Sequence, residues 1–456
     1  MIRARILDLM LENDFLVSPF YICTMLHPGS KGWIRKYFSI MENYQDSLNK
    51  FPGTLLSTEE LIYGYLQPTG LLYGFPTKLL FVEDEYLSKW TSEETFKVLL
   101  LEGLILVDHL KKGKFDHESL EKSLENFVKF YESTELEKAK KGWLNFKGLN
   151  VYEKLESIID QRVDIKSSFA NKLWTSYLYN SLLFHDLLLY HEYHEGADPK
   201  LLCEKREEVL LDMIKVVAAA ANVDGNPEEE ENNFFEIFIA SADFDNDRHE
   251  IAEDFFHNRK TLDDIEFKYE KSWLLSRYIL ELAILTVWSD NKVVDSEHEF
   301  LNRLVDKLGL EEEEKDKSFM AIQSFMQKNQ EKIPFLQDKS DVSMLMSGAT
   351  DRWAKILGRS KDKLAAELSQ SKELVGLIAK STKSDLTKEE RDKVKRQMKD
   401  LAKTVPSLGL FLLPGGSLLL PIILKIIPDL VPSAFRTNQV DEEKEEDVDP
   451  DSPPVE

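Results

Sequence analysis

Apolar residues at helical spacing constrain this chain more than any other feature. Phe96, Leu99, Leu100, Gly103, Leu104 and Val107 recur at the three- and four-residue intervals of one helix face. Ser57-Thr58-Glu59-Glu60 has the form of a capping box ahead of an apolar run. Ser167 to Tyr193 reads as a long helix rich in Leu and Tyr, and Leu79-Leu80-Phe81-Val82 is the best candidate for a strand. The pattern predicts an all-α chain of multi-domain helical bundles, ending in a proline-broken hydrophobic helical box.

Composition narrows the functional classes. At 456 residues there is room for two or three domains with cores of their own. A formal net charge of −24 repels a phosphate backbone, so DNA is not an expected partner. Cys23 and Cys203 make no disulfide framework and point to a reducing compartment. The first apolar run, Ile6 to Met10, is short and broken by Asp8, unlike a secretory signal. No phosphate-cradling glycine loop, Gly-x-Ser-x-Gly elbow or Cys-x-x-Cys is present. Nothing assembles a nucleophile, a base and an oxyanion site, so neither an enzyme nor a small-molecule substrate is expected.

The chain divides by composition. Residues 1–24 read as an N-terminal extension, since Met25 precedes the turn-forming His27-Pro28-Gly29-Ser30 and is a candidate start. Residues 25–205 read as an N-terminal helical domain and 206–335 as a second one. Amphipathic helices fill 340–405, the apolar box 406–435, and an acidic tail with the composition of a disordered segment 436–456.

Residues 206–335 contain an internal repeat. Asn222-Val223-Asp224-Gly225 leads to Glu231 and Phe234, and Asp290-Asn291 leads to Glu297 and Phe300. An apolar helix is expected before each Asp and another after each Glu. Asp-Gly and Asp-Asn suit the turn, because Gly and Asn tolerate a left-handed backbone. The carboxylates after the turn fall in the first turn of the next helix, where its dipole favours them. Two such turns could converge on a divalent cation through Asp224, Glu231, Asp290 and Glu297, or they could only cap and join helices.

Two other acidic motifs carry less. Asp243-Phe244-Asp245-Asn246-Asp247 resembles the opening of a calcium loop, with Asp254 at its twelfth position, but Arg248 stands where the turn needs glycine. It reads as a solvated acidic loop. In His191-Glu192-Tyr193-His194-Glu195 the histidines are three apart rather than the four of the zinc signature, so a helix surface is expected.

Towards the C-terminus, Leu364, Leu368, Val375 and Ile378 share one face of a first amphipathic helix. Thr387-Lys388-Glu389-Glu390 is a capping box for a second, with Val394, Met398, Leu401 and Val405 as its seam. Its outer face is basic, with Lys388, Arg391, Lys393, Lys395, Arg396, Lys399 and Lys403, and is either a solvated face or a docking surface. The box that follows opens at Pro406. Leu408 to Leu424 is uncharged, at the short end of what spans a hydrocarbon core, and Pro414, Pro421 and Pro428 recur every seventh residue. Interior prolines disfavour one unbroken helix. A kinked span, a re-entrant or interfacial pair, and a helical pair folded onto the soluble body all remain open.

Two family resemblances follow from these residues. The repeat, with Asp224, Glu231, Asp290 and Glu297 at matching positions, resembles the tellurite-resistance TerB family. That implies an all-helical, stress-linked module that can take a divalent cation. The stretch from Lys388 to Phe435 resembles the Letm-type family of leucine-zipper, EF-hand-containing transmembrane proteins. It does so through the valine-proline opening, Leu419-Leu420-Pro421, Lys425, Pro428 and the closing Pro432-Ser433-Ala434-Phe435. That family is associated with cation/proton exchange at an inner membrane and with ribosome binding. The whole layout is similar to bacterial chains described as Letm-related and biofilm-associated. The resemblance implies a non-enzymatic scaffold on the cytoplasmic side of the inner membrane, peripheral or single-span, linked to envelope or cation stress. Its partners would be the membrane, membrane proteins or the ribosome. A transport subunit using Lys425 and Asp429 is the competing expectation.

Overall fold

The computed structural model describes residues 26–41, 57–82, 86–112, 117–134, 148–163, 181–223, 244–269, 271–287 and 295–329, with single positions at 136, 235, 239 and 242 and a set between 368 and 397. Twelve α-helices have bounds within these residues, and no strand occurs among them. In chain order they are α1 (Trp33–Met41), α2 (Thr58–Leu66), α3 (Ser92–Lys112), α4 (His117–Ser133), α5 (Val151–Arg162) and α6 (Leu183–Glu195). Then come α7 (Pro199–Ala221), α8 (Asn246–His257), α9 (Trp273–Val287), α10 (Asp295–Leu308), α11 (Glu312–Lys328) and α12 (Lys372–Ser381). The all-α expectation holds.

Capping explains where several helices start. Ser57 and Glu60 form the expected reciprocal box at α2. The same device opens α3, where Thr91 and Glu94 exchange bonds, and α5, where Asn150 and Glu153 do. Each box satisfies backbone N–H groups that the first helical turn leaves without partners.

Two helices sit at the centre of the packing. Helix α3 lies against α2, α4, α5 and α6, and α9 lies against α2, α7, α10 and α11. The 3-4 stripe of α3 is buried as expected, but so are Leu101, Glu102, Ile105, Leu106, Asp108 and His109 on its other sides. Its packing is therefore that of a central helix rather than a surface one. Every residue of α9 from Leu274 to Val287 is buried. Buried apolar residues from Leu26 to Met326 form one continuous cluster. The 205/206 boundary drawn from composition falls inside α7, and α6, α7 and α2 connect the surroundings of the two central helices.

The strand expected at Leu79–Val82 is not formed. This segment is irregular, and the N–H groups of Leu80 (2.7 Å) and Phe81 (3.2 Å) donate to the buried carboxylate of Glu102. A side chain of α3 thus supplies the acceptors that a neighbouring strand would have offered. Just before it the backbone reverses through Gly70 at φ +83°, where an added Cβ would overlap the Phe75 carbonyl. Of the long helix expected over Ser167–Tyr193, residues 167–180 lie outside the described residues, Ser181 and Leu182 form a 3-10 turn, and α6 runs from Leu183 past Tyr193 to Glu195. The 1–24 extension and the Met25 start lie outside the described residues.

Candidate docking segment and the acidic turns

Thr387 opens a helical segment as the sequence predicts. Its hydroxyl accepts from Glu390 N at 3.3 Å, and its own N–H donates to Glu390 at 3.0 Å. Helical residues follow at 389–390, 393–394 and 396–397. This segment packs against α12. Lys380 donates to Glu390 at 2.7 Å, Lys393 pairs with Glu373, and Gln397 reaches Glu373 at 3.2 Å and Ser371 at 2.9 Å. Residues rising along α12 meet residues falling along the second helix, so the two run antiparallel as a hairpin. Leu368, Leu374, Val375, Ile378, Leu386 and Val394 are buried, which accounts for the described members of both predicted apolar seams.

The contacts fix which side of the second helix is used. Glu390, Lys393, Val394 and Gln397 turn towards α12, while Arg396 is exposed. Lys393 is therefore held by an acidic partner rather than standing on the outer basic face. The Lys393 hydrogen bond keeps the Glu373 carboxyl below the usual range, and the Lys380 hydrogen bond does the same for Glu390, with help from the Thr387 N–H. Lys388, Arg391, Lys395 and Lys399 lie outside the described residues, as do Pro406, Pro414, Pro421, Lys425, Pro428, Pro432 and Phe435 of the box. No helix among the described residues is long and apolar enough to cross a membrane.

Of the four candidate cation ligands, Glu297 alone is described. It lies in the first turn of α10 with Asp295, as the repeat predicts; Glu297 is buried while Asp295 is exposed, and Phe300 is buried one turn on. Asp224, Glu231 and Asp290 lie outside the described residues. The apolar helices expected before each turn are α7 and α9, which pack against each other. Among the described residues no cluster of histidine, cysteine and carboxylate groups has the form of a metal site.

The other acidic motifs resolve into structural roles. Asp245 is the N-cap of α8 and accepts from Arg248 N at 2.9 Å. Asp254, the twelfth position of the calcium-like loop, is taken by Lys260 and Asn258 at 2.5 Å each. His194 bonds Asp108 at 2.9 Å, whereas His191 lies 4.0 Å from Glu59, so the two histidines serve different carboxylates.

The structure also contains a buried polar network with no counterpart in the expectations above. Arg277 and Glu281, 2% and 1% exposed, pair at 2.9 Å one turn apart on α9. Tyr63 and Tyr73 donate their hydroxyls to the two Glu281 oxygens at 2.5 and 2.9 Å. Arg277 also donates to Glu314 of α11 at 2.5 Å and lies over the Tyr63 ring. Burial raises the Glu281 carboxyl even though Arg277 and the two hydroxyls pull it down. At Glu314 burial pushes the same way, but Arg277 and Lys317 prevail and the carboxyl is lowered. The sequence signal for this network is an Arg and a Glu four apart within the otherwise apolar run of α9.

Comparison with known families adds one match. A family model described as LETM1-like, RBD matches residues 386–452, the segment that begins at the Thr387 cap. It supports a LETM1-like relationship for that part of the chain. No curated protein and no solved structure shows significant similarity to the chain.

Proposed function

We propose that the protein is a non-enzymatic helical scaffold, docked on a membrane surface through its LETM1-like C-terminal segment. The observation that carries this reading is the family match over 386–452. That stretch contains both the capped basic helix and the proline-punctuated box at 406–435. The basic face would meet anionic headgroups and the box would enter the apolar layer. Fractionation of the native protein, with salt and carbonate washes of the membrane pellet, tests it. Retention after salt alone marks an interfacial box, and retention after both marks an integral one. A protein found wholly in the supernatant would end the membrane reading.

A second reading is ribosome docking, favoured by the matched model being the RBD part of the LETM1-like family. Co-sedimentation with ribosomes in a salt series tests it. Binding through the basic face should weaken as salt rises, and absence of the protein from the ribosomal pellet at low salt would overturn it.

A further inference from the structure

We infer that α12 is a releasable cover on the helix that Thr387 opens: docked, it withholds Leu386, Lys393 and Val394 from an anionic membrane surface, and released, it yields them. The inference rests on the docking reading above and concerns its regulation.

What α12 covers is the first argument. Its Glu373 pairs with Lys393, and Gln397 bonds both Glu373 and Ser371. Leu386 and Val394 are buried. A cation and an apolar seam are thus held on this side, and the Glu373 carboxylate stands where an anionic headgroup would meet Lys393. The family match begins at 386, so the covered residues lie inside the matched segment and α12 lies before it.

Weakness of the cover is the second. Helix α12 has ten residues, a length at which an isolated helix is marginal in water. Its interior holds Gly376, where an added Cβ would meet nothing within 4 Å and the backbone has no left-handed φ. Neither packing nor conformation requires this glycine, and it disfavours the helix relative to alanine. The ion pairs Glu373–Lys393 and Lys380–Glu390 are solvent-exposed, and such pairs contribute little. Independence is the third argument. Leu368, Leu374, Val375, Ile378, Leu386 and Val394 lie outside the cluster that runs from Leu26 to Met326, so release of α12 leaves the body intact.

The test is flotation of the full chain with vesicles rich in phosphatidylglycerol, using two charge-neutral substitutions in α12 that push the hairpin in opposite directions. Gly376→Ala strengthens the cover and should weaken binding about fivefold, because the binding-competent fraction falls by that factor. Leu374→Ala loosens the packing of the cover and should tighten binding about tenfold. Adding Lys393→Gln to Leu374→Ala should remove most of that gain. A gain that survives Lys393→Gln, or that appears equally on phosphatidylcholine vesicles, would come from exposed apolar surface alone and would overturn the inference. Binding that both α12 substitutions leave unchanged, or shift in the same direction, would overturn the inference while the docking reading stands. Failure of every form to bind vesicles would remove the membrane docking reading and the inference together.

Discussion

Several buried ionisable side chains among the described residues have specific charged partners. Arg277 has Glu281, Glu314 and the Tyr63 ring around it, and Asp186 takes Arg162 through two bonds of 2.7 Å. His185 is different. Burial, reinforced by Arg206, Lys205 and Arg162 and opposed by Asp186, lowers its pKa to about 3. The imidazole is therefore neutral in the folded protein, while an unfolded chain protonates near 6.5. Between those values the unfolded state binds the extra proton, so stability falls as pH drops from about 6.5 towards 3. His185→Gln should flatten this dependence. From pH 6.5 to 4.5 the wild type should lose about 2–3 kcal/mol more than the variant, read from urea midpoints. Parallel curves for the two proteins would show that His185 is not the titrating group.

At the scale of elements, close packing decides which helices can be central. Gly103 lets α3 approach α6, because an added Cβ would overlap Leu187 Cδ1. Gly103→Leu must displace the Leu187 side chain or push the two helices apart and should cost about 1–3 kcal/mol, with a lower urea midpoint at pH 7. An unchanged midpoint would mean that Leu187 moves aside freely. The helix starts at Ser57 and Thr387 were legible because a capping box is a local motif of four residues. Thr91 and Asn150 carry the same signature and could have been read the same way. The apolar run Leu79–Val82 reads as a strand in the sequence, because nothing in it signals that Glu102 of α3, 22 and 21 residues on, takes the N–H groups of Leu80 and Phe81.

Over the molecule as a whole, the N-terminal helices and the repeat region share a core and a polar network. Tyr63 and Tyr73 reach Glu281 across more than two hundred residues of chain. A fragment of residues 206–335 would keep Arg277, Glu281 and Glu314 but lose both hydroxyls and the α2 face of α9. It should lack a cooperative thermal transition by circular dichroism, whereas residues 26–335 should show one. A sharp transition for the shorter fragment would mean that the repeat region is an autonomous domain. The hairpin of α12 and the Thr387 helix buries residues outside this common core.

Periodicity and capping motifs act through neighbours in the chain, so the helical class and several helix starts are legible in the sequence itself. The antiparallel hairpin that sorts Lys393 from Arg396 is not. Neither is the carboxylate that replaces a strand partner at Leu80, nor the burial of Arg277 between two glutamates. Those features depend on which distant groups meet in a low-dielectric interior, where an unmatched polar atom is costly and only the packed fold supplies its partner.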